Sequence, residues 1–185
     1  MSSDPRKKTI SLISLLGGML ITMTDPSADV LPARKRPAHW PVTETHNRSV
    51  IVFLTVCTSG RAPWLPSSDV HAILRTAWEK ATNWRVGRYV LLPDHLHLFC
   101  APGCLPPESL ARWVGYWKRI STISIRKSIP DFSWQRDHWD TQLRHGESYA
   151  SKWKYVQSNP VRHKLANDPA DWPYQGEIER LEWHD

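Results

Sequence analysis

Two histidines stand one residue apart in "YVLLPDHLHLFCAPG", residues 89–103, a run that otherwise has the apolar content of a buried strand. Side chains alternate along a strand, so His95 and His97 share a face, with Cα atoms about 7 Å apart. Two imidazoles so placed can grip one metal ion and leave coordination positions open for a substrate. The competing reading is a pair of structural histidines, because H-x-H alone is a weak signal. Cys100 and Cys104 raise a His–His–Cys–Cys zinc site, which strand parity opposes: residues 95, 97 and 99 share one face and Cys100 takes the other. C-x₃-C is also not the spacing of a zinc knuckle.

A second group lies in "ESYASKWKYVQSN", residues 147–159, which reads as a helix stopped by Pro160. Tyr149, Trp153 and Val156 form its apolar stripe. Tyr155 and Asn159, four apart, lie together on an adjacent face with Lys152 beside them. One helix thus offers a phenol, an amide and an ammonium to a common site. A tyrosine that packs by its ring is the alternative, and Pro160 disfavours helical geometry at Asn159.

The elements that must position these residues follow from periodicity. Residues 49–58, "SVIVFLTVCT", are apolar and β-branched and predict a buried strand. Residues 67–82 predict a helix burying Val70, Leu74, Ala77, Trp78 and Ala81 after a Ser/Asp start. Residues 84–92 and 95–101 are two strands with only Pro93 and Asp94 between them, hence a hairpin. Residues 106–128 predict a long basic helix opening on proline, and residues 138–145 a fourth strand. The tail from 161 has no clear periodicity. The order strand, helix, strand, strand, helix, strand, helix is a ferredoxin-like α+β plan, an antiparallel sheet with helices on its faces and one C-terminal helix added.

Composition narrows the function. The chain has 185 residues and a formal net charge of +6, which favours an anionic partner, nucleic acid before membrane. Eleven tryptophans are unusual for this length: most should be core, because indole is large and apolar, while some could stack on unpaired bases. Three cysteines make no disulfide framework and suit a reducing compartment. Arg6, Lys7 and Lys8 precede "TISLISLLGGMLITM", which has the charge-then-apolar order of a secretory leader but is too short and interrupted to span a bilayer. A translation start at Met19 or Met23 is the alternative. Residues 1–46 are therefore set apart as an extension, with Arg34, Lys35 and Arg36 in its Pro-rich lead-in, 47–175 as the functional domain and 176–185 as a tail.

Taken together, "LLPDHLHLF", "WQRDHWDTQLR" and "YVQSNPVRHKL" resemble the REP-associated tyrosine transposases, a branch of the single-tyrosine HUH nucleases, over roughly residues 48–175. The P-x-H-x-H and Y-x-x-x-N-P-V runs are the most specific pieces. The resemblance implies a ferredoxin-like HUH fold, with His95 and His97 as metal ligands, Tyr155 as nucleophile and Asn159 completing the metal site. It implies a Mg²⁺- or Mn²⁺-dependent endonuclease that cuts and rejoins single-stranded DNA through a covalent 5′-phosphotyrosine. The substrate implied is a hairpin formed by an imperfect palindrome, in the cytoplasm, and the protein a monomer or homodimer. Lys118, Arg119, Arg126, Lys127, Arg136 and Lys152 are candidate phosphate contacts. Two departures stand out: Lys164 replaces a common glycine, and Asp94 stands where asparagine or glutamate is more familiar. Two rivals are a hairpin-binding protein whose chemistry is lost and, from the leader alone, an exported metal-binding protein.

Overall fold

Residues 52–57 alternate Val, Phe, Leu, Thr, Val and Cys, and in the computed structural model they form β1, Val52–Cys57, an interior strand covered on both faces. Residues 50–143 and 149–182 are described; the extension, its leader and basic triplet, and the ends of the predicted fourth strand and last helix lie outside them. The remaining elements are α1 (Ser68–Lys80), β2 (Trp84–Leu91), β3 (His95–Pro102), α2 (Leu110–Ile125), β4 (Trp139–Gln142), α3 (Tyr149–Gln157), α4 (Asn159–Arg162) and β5 (Gln175–Glu177). The strands make an antiparallel sheet in the order β4-β1-β3-β2-β5, so the predicted α+β plan is the one observed.

Two apolar layers sandwich the sheet. Leu54, Val56, Leu96, Leu98 and Cys100 face α1 and α2, where Trp78, Trp113 and Trp117 fill the layer. Val90 and Phe99 face α3 and the C-terminal segment through Tyr149, Val156, Trp172 and Leu181. Strand parity thus places Cys100 in the first layer, away from the histidine pair. Among the described residues, no group of three or more His, Cys, Asp and Glu side chains is arranged to hold a metal, so the zinc site is absent there.

Local chemistry sets the boundaries. Ser67 caps α1 by accepting from the Val70 N–H at 3.2 Å. Pro93 and Asp94 form the hairpin tip, closed by Leu92 N–H to the His95 carbonyl at 2.8 Å. The predicted helix from 106 begins only at Leu110. Pro107 disfavours helical geometry at Pro106, and the Glu108 carbonyl is taken by Trp84 Nε1 at 3.0 Å. The tail is more ordered than its sequence suggests. β5 pairs with β2, Trp172 Nε1 donates to the Leu91 carbonyl at 2.7 Å, and Leu181 is buried, so the sheet domain runs past residue 175. No helix among the described residues is long and apolar enough to cross a membrane.

Candidate active site

The site forms where α3 and α4 cross the open half of the sheet. α3 is oriented by Tyr149 and Val156, both buried against the sheet. Full burial of a side chain such as Val156 contributes roughly 1.5–3 kcal/mol and fixes the rotation of the helix. Tyr155, a third of a turn away, is consequently left 56% exposed. Pro160 lacks an N–H and breaks the ladder, and α4 restarts at once with Asn159 in its first turn, buried to 7% exposure. The helical geometry feared lost at Asn159 is therefore kept by a new helix rather than by α3.

Phe53, His95, His97, Lys152, Tyr155, Asn159, Arg162 and His163 line one pocket of about 370 Å³. The four residues singled out in the sequence as ligands and nucleophile, His95, His97, Tyr155 and Asn159, are all among them. The two imidazoles stand edge to face with ring centroids 4.9 Å apart. His97 Nδ1 lies 2.9 Å from Thr55 Oγ1, and His95 Nδ1 lies 2.7 Å from Asp94 Oδ1. Burial, reinforced by the charges of His95, His163, Arg61 and Lys152, pushes His97 down to about 3. Burial also lowers His95, partly offset by Asp94. Both rings are therefore neutral at pH 7, the form in which imidazole donates a lone pair to a metal.

Burial would raise the Asp94 carboxyl, but the hydrogen bond and charge of His95 and the charge of Arg61 outweigh it and hold it low. Arg61 Nε lies 2.6 Å from Asp94 Oδ2. A hydrogen bond from Arg162 and its charge lower the Tyr155 phenol, and the Arg162 guanidinium lies 4.8 Å from the ring centroid. Lys152 Nζ lies 5.2 Å from the Phe53 ring centroid. Such a pocket can hold a cation on one side and a nucleophilic oxygen on the other, with positive charge for a phosphate between them.

Arg162, His163 and Phe53 line the pocket but were missed by sequence reasoning. The signal for Arg162 and His163 was helical spacing: they follow Asn159 by three and four in "NPVRH". Thr55 was missed because cross-strand neighbours, with Thr55 opposite His97, are set by sheet register.

The proposed phosphate contacts divide. Lys152 lines the pocket. Arg136 is exposed and 3.6 Å from Asp137. Arg119, Arg126 and Lys127 are exposed but belong to α2 or its C-terminal turn, on the opposite face of the sheet. Lys118 is corrected: it is 8% exposed, and its Nζ donates to the carbonyls of Gln135 and Arg136 at 2.6 and 3.3 Å. Burial brings it down to about 8. It ties α2 to the segment that leads into β4, and its ammonium is engaged by those carbonyls rather than by a phosphate.

The antiparallel α+β sheet with helices on its faces is shared with a transposase structure solved bound to a hairpin. The chain superposes on a REP-associated tyrosine transposase bound to a REP hairpin with a TM-score of 0.54 and 22% identity, over 72% of this chain and 79% of that one. In sequence it is similar to the REP-associated tyrosine transposase of Escherichia coli K12, 25% identical over 104 residues, 56% of this chain and 59% of that protein. A Haemophilus influenzae protein provisionally given the same family name is 30% identical over 97 residues, 45% of this chain and 53% of that protein. The matches thus span a little over half of these curated relatives. No protein-family model matches the chain. The resemblance read from the motifs is borne out: this protein resembles the REP-associated tyrosine transposases in sequence and in fold.

Proposed function

We propose that this protein is a metal-dependent, single-stranded DNA nuclease and strand transferase acting at hairpin sequences through a covalent 5′-phosphotyrosine. The convergence of His95, His97, Asn159 and Tyr155 on one pocket carries the reading. The donor set fits a divalent cation. An ionised Asp94 can only accept, so His95 carries its proton on Nδ1 and keeps a lone pair on Nε2. The Thr55 hydroxyl, which can accept from a protonated Nδ1, lies 2.9 Å from His97 Nδ1 and orients that ring with its Nε2 free for a ligand. The ring centroids lie 4.9 Å apart, close enough for both imidazoles to hold one ion. With the Asn159 amide oxygen and water in the remaining positions, this set is compatible with Mg²⁺ or Mn²⁺, and the imidazoles alone would also accept zinc. When bound, the cation supplies Lewis-acid polarisation of a phosphoryl oxygen.

The protein's own groups do the rest. Tyr155 Oη gives up its proton to solvent and attacks phosphorus, the bond from phosphorus to the 3′-oxygen breaks, and that oxygen leaves as a hydroxyl after taking a proton from water. The tyrosine phosphodiester stores the bond energy, so attack by a 3′-hydroxyl reverses the step and joins strands. Arg162 and Lys152 offset the charge of the phosphate and of the entering phenolate. Tyr155 is exposed on a helix, which requires the strand to come to it and favours unpaired DNA beside a hairpin. The hairpin itself is suggested by the structural relative, which was solved bound to one.

The test is incubation of labelled hairpin oligonucleotides bearing single-stranded flanks with protein and Mn²⁺. A covalent protein–DNA adduct is expected, lost in Tyr155→Phe and with EDTA. An adduct that survives Tyr155→Phe removes the assignment. Hairpin binding with no adduct from the unaltered protein favours the reading of a binding protein without chemistry.

A further inference from the structure

We propose that Trp139 is a stacking platform for an unpaired DNA base next to the phosphate held at the histidine pair, an inference that rests on the nuclease reading above. Among the described tryptophans Trp139 alone is exposed, at 49%, whereas the others are buried or half-buried. An indole left in water forgoes the stabilisation its burial would bring, and its π-face is then available to a ligand.

Sheet register says which ligand. Trp139 pairs with Thr55, and Thr55 pairs with His97, so the three lie in one transverse row. Directly paired residues point to the same face. Trp139 therefore stands on the pocket side of the sheet, two strands from His97, or about 10 Å at the Cα atoms. That is within a few nucleotides of a strand whose phosphate lies at the pocket. β4 is an edge of the described sheet, and among the described residues no further strand flanks Trp139 there.

The charges agree with a nucleic-acid occupant. Lys152 lines the pocket and Arg136 is exposed where the chain enters β4. Of the nearby carboxylates, Asp137 is 3.6 Å from Arg136, and Asp140 pairs with Leu54, on the other face of the sheet. An aromatic plane beside cationic side chains is the arrangement that holds single-stranded nucleic acid without demanding a sequence, because every base has a π-face. Trp139 would thus hold the strand in line with Tyr155 whatever the base.

Fluorescence anisotropy with labelled oligothymidylate and Mn²⁺, at one fixed salt concentration and in a Tyr155→Phe background that cannot cut, measures the platform. Trp139→Leu is expected to weaken binding about 5- to 100-fold, and Trp139→Phe to retain most of the affinity. Replacing thymidines one at a time by abasic sites should reveal a position that costs affinity with Trp139 present and costs nothing in Trp139→Leu. Equal affinity of Trp139 and Trp139→Leu proteins overturns the proposal. So does a Trp139→Leu change that leaves DNA affinity alone but converts a dimer to a monomer by light scattering, which would assign the edge to a second copy. The nuclease reading fails separately: with Trp139-dependent binding but no adduct from the unaltered protein, the platform stands and the chemistry falls.

Discussion

Asp94 bridges the hairpin tip to the pocket: one carboxylate oxygen lies 2.7 Å from His95 Nδ1 and the other 2.6 Å from Arg61 Nε. The contact sets the tautomer and orientation of His95, and Arg61 keeps the carboxylate ionised so that it can only accept. The Asp94 carbonyl, held by the Thr58 N–H at 2.9 Å and Thr58 Oγ1 at 3.0 Å, secures the turn independently of the side chain. Asp94→Ala should therefore fold normally by circular dichroism. Its Mn²⁺ affinity by calorimetric titration should fall about 10- to 100-fold. Unchanged affinity would show that Asp94 does not support a ligand.

Arg162 should govern the pH dependence of cleavage. A phenol ordinarily titrates near 10, and Arg162, by hydrogen bond and charge, favours the ionised form of Tyr155. The lowered value favours phenolate at neutral pH, so under the proposed mechanism adduct formation should rise with pH along a limb shifted towards acid. Arg162→Leu should return that limb to higher pH and slow the reaction at pH 7 by about 10²-fold. Arg162→Lys should recover part of the loss. A rate–pH profile unmoved by Arg162→Leu would exclude this role.

Lys164 takes up a left-handed backbone conformation that glycine favours. Its φ is +59°, in the left-handed region, and α4 ends on a paired closure: Leu165 N–H to the Pro160 carbonyl at 2.8 Å and Lys164 N–H to the Val161 carbonyl at 2.9 Å. A side chain in that conformation is strained. Lys164→Gly should stabilise the protein by about 1 kcal/mol in urea denaturation, with the site unchanged. A loss of stability would mean that the lysine makes a compensating contact.

Much of this molecule was legible along the chain. The hairpin at Pro93 and Asp94, the parity that separates Cys100 from His95 and His97, and the buried faces of α1 and α3 all depend on neighbours a few residues apart. Periodicity and turn chemistry act at that range. The start of α2 and the strand β5 were not legible. The first depends on a tryptophan twenty-four positions upstream that takes the Glu108 carbonyl, and the second is three residues long and becomes a strand only by pairing with β2.

The amino-acid order by itself therefore determined which groups were available for chemistry, two imidazoles on one strand face and a phenol four residues from an amide. Only tertiary structure decided what each group meets. It set Thr55 beside His97, closed Arg162 over Tyr155, turned Lys118 inward and left Trp139 uncovered at the sheet edge. Register and helix docking are collective outcomes of burying two apolar layers at once, and no local spacing rule encodes them.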